Sequence, residues 1–476
     1  MTEHELVEPV HFIGIGGAGM SGIARIARAR GARVTGSDAK ESRTLDALRA
    51  LGIDALAGHA AEQVAGAGCV VVSSAIRSTN PEWSAAQAAG VPILRRAEAL
   101  AVLMRGYESV AVAGTHGKTT TTSLLTVALQ HAGVDPSFAI GGDLNESGAN
   151  AHHGSGPHFV CEADESDGSF LLLHPTVAIV TNVEMDHPDH WSDSRELDEA
   201  FVSFLHQLPE TGYAVVCADD PGALTLADAA RSGGVDVRLY GTNPVSDLVV
   251  SDVQLNPRGS TSTVSWRGQP LGSLNLRIPG LHNVINAAGA LAAGIGLGID
   301  PTALIEGMAS FTGTRRRFEP KGSVGDIEVF DDYAHHPTEI TATLTAARRL
   351  AGDGQLVVCF QPHRYSRTEA FCEEFGRALA VADRLVVMEV YAAGEDPIPG
   401  AGGLAVAEAA RRAGARDVQF VGSWSAVTPY LHSVVRPGDT VMTMGAGDVT
   451  LIGPLLLESL RESGGATVTS DTPDSP

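Results

Sequence analysis

The run Gly114-Thr115-His116-Gly117-Lys118-Thr119-Thr120 sits between an apolar stretch, Ser109–Ala113, and a helical pattern that extends from Lys118 to His131. A glycine-rich turn that opens a helix points backbone N–H groups at an anion, and the helix end adds roughly half a positive charge. Lys118 is expected to bridge phosphate oxygens there, and a threonine hydroxyl, Thr119, to bind Mg2+. The loop is shorter than the usual G-x-x-x-x-G-K-T, because Val112 stands where that pattern needs glycine. The strand–loop–helix context favours a Mg-ATP site over a chance Gly-Lys-Thr.

A second glycine run, Gly14-Ile15-Gly16-Gly17-Ala18-Gly19, lies between a strand at Val10–Ile13 and a helix over Met20–Arg30, and Asp38 ends the next apolar segment. This is the G-x-G-x-x-G dinucleotide fingerprint. Its physics is broader than NAD: the turn receives any diphosphate, and Asp38 accepts from the ribose of any nucleotide. The reading is therefore a nucleotide-diphosphate site, NAD being one option, with a ligand-free tight turn as the alternative.

Acidic runs follow two buried strands, Glu162-Ala163-Asp164-Glu165-Ser166-Asp167 and Glu184-Met185-Asp186-His187. Strand ends are where α/β ligands bind, and Mg2+ needs a few oxygens besides phosphate. Glu162 is the expected carboxylate, and His187 a ligand for a second metal or else a structural imidazole. Arg315-Arg316-Arg317 after Gly313 reads either as a solvated run or as cations that swing from a hinge onto a γ-phosphate. In the last third, Asp331-Asp332-Tyr333-Ala334-His335-His336-Pro337-Thr338-Glu339 and Gln361-Pro362-His363-Arg364-Tyr365-Ser366-Arg367 each follow a strand. Arginine forks with Asp and His nearby suit a small zwitterion.

These groups need a scaffold. The chain has 476 residues, 44% hydrophobic but only 5% aromatic, and 54 glycines. Short apolar runs alternate with helical patterns, which specifies parallel sheets with crossover helices. The expected fold is α/β in three domains: a Rossmann-like unit over 1–107, a central P-loop unit over 108–313 and a Rossmann-like unit over 314–462. The Ser/Thr alternation between Leu248 and Ile278 reads as a small antiparallel sheet in the central unit. Residues 463–476 read as a disordered tail. A net charge of −23 disfavours nucleic acid and anionic membranes as partners. No long apolar span or signal segment is evident, and the five cysteines form no CxxC, so a reducing cytoplasm is expected.

In order along the chain, GIGGAGMSGIA, AGTHGKTTT, EADESDGSF, TNVEMDH, the H-N-x-x-N-A run at His282–Ala287, RRRFE, DDYAHHPTE and QPHRYSRT resemble the Mur ligase family, and its alanine-adding branch in particular. The resemblance implies ATP-driven amide formation between the lactyl carboxylate of UDP-N-acetylmuramic acid and L-alanine, through an acyl phosphate. It implies that Gly114, Thr115, His116, Gly117, Lys118, Thr119, Thr120, His282, Asn283, Asn286 and Arg317 hold ATP. Gly14, Gly16, Gly17, Gly19, Met20, Ser37, Asp38, Ser73 and Ser74 would hold the UDP-sugar, which reassigns the first fingerprint from NAD to UDP. Thr119, Glu162 and His187 would carry Mg2+, with two ions expected and Mn2+ as a substitute. Tyr333, His335, Arg364 and Arg367 resemble the amino-acid contacts, with His335 or Asp332 as the base for the amine. Several sister ligases carry a carbamylated lysine after the metal histidine; here Ala200-Phe201-Val202-Ser203-Phe204 has none. The rival readings are a ligase adding a tripeptide to the same sugar nucleotide, an NAD-dependent dehydrogenase and a P-loop module without ligation. The expected assembly is a monomer or weak dimer.

Overall fold

The computed structural model describes residues 5–465, except 74 and 189. Three sheets form in succession. The first is all parallel, in the order Asp54–Ala57, Val34–Asp38, Val10–Ile13, Cys69–Val72, Ile93–Arg95. The chain leaves Val10–Ile13 toward one edge and later returns on its other side. The crevice at that reversal lies between the glycine turn after Ile13 and Ser73, which follows Val72.

The second sheet has ten strands and is built around Glu108–Ala113. That strand pairs in parallel with His158–Glu162 on one side and Val177–Val180 on the other. The phosphate loop, Glu162 and Thr181 therefore all lie at carboxyl ends. Beyond Tyr213–Cys217 and Val237–Gly241, the hairpin strands Leu248–Asn256, Gly259–Trp266 and Gln269–Leu276 continue the same sheet. The antiparallel part is thus an extension of the main sheet rather than a separate one. Leu248 and Val249 pair in parallel with Tyr240 and Gly241, so the edge left by Val237–Gly241 is covered.

The third sheet runs Glu319–Val324, Ile327–Asp332, Thr440–Met444, Leu356–Phe360, Arg384–Met388, Val418–Val421, antiparallel only in its first pair. Asp54–Ala57 and Glu319–Val324 escape a reading by apolar runs because they are edge strands. Both are largely exposed, and the second carries Pro320 and Gly322.

One contiguous apolar core runs through the first two sheets, from Val10 to Phe311, while the third sheet has its own clusters on its two faces. The linker at Gly313 is held rather than loose. Thr312 N–H donates to Glu146, Thr314 Oγ1 to Ser123 Oγ (3.1 Å), and Arg315 N–H to the Asp143 carbonyl (3.0 Å). The last helix, Ile452–Gly465, enters the expected tail by three residues, and 466–476 lie outside the described residues. Cys69, Cys161, Cys217 and Cys359 are buried, which pushes their thiols up to about 11 to 12. No helix among the described residues is long and apolar enough to cross a membrane.

Candidate active site

The phosphate loop forms where glycine is indispensable. Gly114 (φ 121°) and Gly117 (φ 81°) are left-handed, and a Cβ on either would collide with the Thr181 hydroxyl or the Asn286 amide. Side chains of the loop fasten it instead of facing phosphate. Thr115 Oγ1 donates to the Glu184 carbonyl (3.0 Å), Asn182 Oδ1 accepts from His116 N–H (2.8 Å), and Thr181 Oγ1 donates to the His116 carbonyl (2.5 Å).

Lys118 is the loop's cation. Its Nζ donates to the carbonyls of Gly114 (2.7 Å) and Thr115 (3.1 Å) and to both oxygens of buried Glu165 (2.9 and 2.7 Å). Burial disfavours its charge, but Glu165, Asp164 and Glu162 overcome this and raise its pKa. The cost falls on Glu165: burial, reinforced by Asp164, pushes its carboxyl up to about 7 against the pull of Lys118.

Thr119 Oγ1 donates to Glu162 Oε2 (3.2 Å), and the other Glu162 oxygen accepts from Gly141 N–H (2.7 Å). A hydroxyl and a carboxylate side by side at a helix N-terminus match the hard oxygen donors that Mg2+ takes, so the pair fits that ion. Burial raises the Glu162 pKa against the pull of Gly141 N–H, Lys118 and Arg317. His187 holds a left-handed φ of 54°, with Asp186 Oδ1 accepting its N–H (2.6 Å). Burial lowers its pKa, giving the neutral imidazole a metal requires. Its Nε2 lies 3.9 Å from Glu165 Oε1.

The three arginines have three fates. Arg315 is exposed and pairs with Asp143 (3.2 Å). Arg316 is anchored to buried Asp331 (3.3 Å) and to the carbonyls of Gly445, Ala446 and Gly447. Arg317 alone reaches the phosphate loop, its Nη2 lying 3.4 Å from Thr119 Oγ1. A 610 Å³ cavity opens beside it, lined by His116, Thr120, His282, Asn283, Asn286 and Asp332 among others. Burial, then Arg317, lowers His282 to about 4, so that imidazole is uncharged at neutral pH.

On the far side, Arg367 is buried and grips Asp186 through Nε (3.0 Å) and Nη2 (2.8 Å), with His187 Nδ1 3.5 Å away. This fork, expected among the amino-acid contacts, spans the two units. Arg364 caps the helix Tyr365–Leu379 and lies 3.9 Å from Glu395. Tyr333 lies under both Arg316 and Arg317, 4.8 and 5.2 Å from ring centre to guanidinium. Asp332 uses both oxygens on backbone, accepting from Phe318 (2.7 Å) and Ala334 (2.8 Å), and burial raises it to about 6. His335 Nδ1 lies 3.0 Å from the Tyr333 carbonyl and 3.3 Å from Glu339 Oε2, while burial, then Arg367, holds its pKa well below the usual value.

At the first glycine turn, Gly16 N–H donates to Asp38 Oδ2 (2.8 Å), so Asp38 also braces the loop. Gly17, Gly19, Met20 and Ser73 line a 290 Å³ cavity together with Arg96, Glu162 and Asp164. The space beside the diphosphate turn thus runs to the Thr119–Glu162 pair. Ser37, expected among the UDP-sugar residues, has a fully buried side chain whose hydroxyl donates to Glu82 Oε2 (2.6 Å). Ser74 lies outside the described residues.

Sequence reasoning met Glu165, Asp186, Glu184 and Glu339 only as members of longer runs and gave them no individual role. His116 Nε2 lies 2.5 Å from Glu184 Oε1 and its Nδ1 3.4 Å from Glu339 Oε1, with His336 Nδ1 3.1 Å from the same Glu184 oxygen. Burial opposes a charge on His116, but the two carboxylates carry it up to about 9. Among the described residues, His116, Glu184 and His336 are the group whose spacing could suit a metal ion. Here a charged imidazole bridging two carboxylates accounts for it. No sequence spacing announces these contacts, because each partner comes from a different sheet end.

Profiles described as "Mur ligase family, catalytic domain", "Mur ligase middle domain" and "Mur ligase, glutamate ligase domain" match residues 9–108, 112–294 and 316–447. Proteins described as UDP-N-acetylmuramate--L-alanine ligase are similar over nearly the whole chain. That of Acidothermus cellulolyticus is 54% identical, covering 95% of this chain and 94% of its own. That of Saccharopolyspora erythraea is 53% identical, covering 97% and 95%. Among solved structures, a UDP-N-acetylmuramate-alanine ligase from Thermotoga maritima superposes with a TM-score of 0.80 at 30% identity, covering 95% of this chain and 99% of its own. A murein peptide ligase from Psychrobacter arcticus superposes with a TM-score of 0.70 at 26% identity, covering 97% and 99%.

Proposed function

Because the chain belongs to the Mur ligase family, we propose that it joins L-alanine to the lactyl carboxylate of UDP-N-acetylmuramic acid, converting ATP to ADP and phosphate. The observation that carries this reading is one continuous set of contacts. Lys118, Thr119, Glu162 and Arg317 surround the phosphate position, and Arg367–Asp186 ties the third unit's Arg-His set to His187 beside it.

The carboxylate attacks the γ-phosphorus, and ADP leaves. The alanine nitrogen then attacks the acyl carbon, and phosphate leaves as the amide forms. A bare carboxylate is a poor electrophile, so the phosphoryl group serves to create the leaving group. Lys118 exchanges Glu165 for phosphate oxygens, and Arg317 adds charge where it develops in the transition state. When bound, Mg2+ neutralises the transferring phosphoryl oxygens; Thr119 and Glu162 would hold one ion and His187 a second, and Mn2+ suits the same donors. His282, Asn283 and Asn286 line the space for adenine. Ser73 and the glycine turn receive the UDP-sugar, whose acid end reaches Glu162 along the smaller cavity.

Of the two candidate bases, we assign the amine proton to His335. Asp332 spends both oxygens on backbone N–H groups, whereas His335 is neutral at pH 7 and has an acceptor nitrogen to offer. We place the unit boundaries at 107/108 and 313/314, and the enzyme in the cytoplasm.

The test is phosphate release with each of ATP, UDP-N-acetylmuramic acid and L-alanine omitted in turn. Release is expected only with all three. Release from ATP alone would sink the reading, and preference for a tripeptide acceptor over L-alanine would move the chain to the recycling ligases. The dehydrogenase reading ends with the family assignment.

A further inference from the structure

Glu339 is the third residue of the helix Pro337–Ala351. Acids are common in a first helical turn, and its Oε2 accepts the His335 N–H (3.1 Å), a capping contact. That role uses one oxygen. The other, Oε1, faces away from the cap, 3.4 Å from His116 Nδ1 and 3.8 Å from Arg317 Nη1. Oε2 also lies 3.3 Å from His335 Nδ1. One largely buried carboxylate thus touches the phosphate loop's imidazole, the arginine that reaches Thr119, and the histidine assigned to the amine.

From this juxtaposition we propose that Glu339 is a positioning residue that couples the phosphoryl-transfer side of the site to the amine side. The inference rests on the ligase reading and deepens it. Through Oε1 it fixes the guanidinium of Arg317 and, with Glu184, the imidazole of His116. Through Oε2, with the Tyr333 carbonyl, it presents two acceptors to His335 Nδ1. The proton of a neutral His335 therefore sits on Nδ1, and Nε2 carries the lone pair that takes the proton from alanine. Without the carboxylate, both the arginine and the tautomer lose their orienting partner, although neither is lost from the site.

Glu339→Gln separates capping from coupling, because the amide oxygen still accepts the His335 N–H while the charge is gone. Melting temperature, kcat and the KM of each substrate are measured for the wild type, Glu339→Gln and Glu339→Asp. Expected for Glu339→Gln are an unchanged UDP-sugar KM, with kcat lowered and alanine KM raised by about tenfold or more, as for loss of a charge-assisted contact, alongside a lower melting temperature from the lost charge pairs. Glu339→Asp, which keeps the charge on a shorter arm, should restore part of kcat. If kcat and alanine KM of Glu339→Gln stay within about twofold of wild type, the residue only caps its helix and the proposal falls. If Glu339→Gln does not fold, Glu339→Asp decides: the same selective rise in alanine KM supports coupling, and a uniform change in all three KM values overturns it. The substrate-omission assay on the wild type is run alongside, so a failure of the ligase reading appears there and not in the variants.

Discussion

Three neighbouring arginines carry the same charge and do different work, and the difference is measurable. Arg316 compensates Asp331, which is fully buried, and satisfies carbonyls of 445–447. Arg316→Ala leaves that carboxylate with the more distant Lys321 (3.9 Å) as its cation and should cost about 1.5–3 kcal/mol of stability. Arg317→Ala should leave the melting temperature nearly unchanged and lower kcat about 10²–10³-fold, the usual penalty for removing a transition-state charge partner. Arg315→Ala should change neither, since an exposed pair with Asp143 is worth about 0–1 kcal/mol. Thermal unfolding and phosphate release on the three variants sort the roles; a large rate loss for Arg315→Ala, or none for Arg317→Ala, contradicts the assignment. A solvated run and a catalytic cation were alternative readings of this triplet; Arg315 is exposed, whereas Arg317 lies beside Thr119.

At the level of elements, the phosphate loop and its helix were legible because their chemistry is local. Only glycine suits φ 81° at Gly117 beside Asn286, so the residue itself signals the backbone. Gly117→Ala should raise the ATP KM about tenfold and cost at least about 1–2 kcal/mol from left-handed strain, read by calorimetry and kinetics. A wild-type melting curve and ATP KM in that variant would disprove the conformation. The central strands were legible for the same reason: Val177–Val180 and Leu356–Phe360 are buried on both faces and so read as unbroken apolar runs. Edge strands such as Asp54–Ala57 carry no such mark. Within the site, the missed groups are those defined by long-range pairing. Lys118 meets Glu165 after 47 residues and Arg367 meets Asp186 after 181, distances at which spacing says nothing. Successive strand residues also part ways: Asp38 braces the glycine turn through Gly16 N–H, while the Ser37 hydroxyl is buried against Glu82.

At the scale of the whole molecule, the first two units share a core and the third keeps its own, joined to them by charged contacts. Calorimetry should resolve two transitions, the one involving the third unit sensitive to pH through the His116 bridge to Glu184 and Glu339, with His336 beside it. His116 is raised from an ordinary 6.5 to about 9, so its stabilisation is complete below about 6.5 and is lost as pH rises through about 9. Glu184 and Glu339 are depressed, so their share is present above an ordinary 4.5 and fades as pH falls toward their folded values. A single transition whose midpoint does not fall between pH 6.5 and 9 would refute this division. The 610 Å³ cavity takes walls from both sides of that division, His282 and Asn286 from one and Asp332 and Thr338 from the other. A rigid compound filling it would act as a gauge block: its affinity would include the work of setting two bodies at one angle, so shape, more than added polar contacts, should govern how tightly such an inhibitor holds.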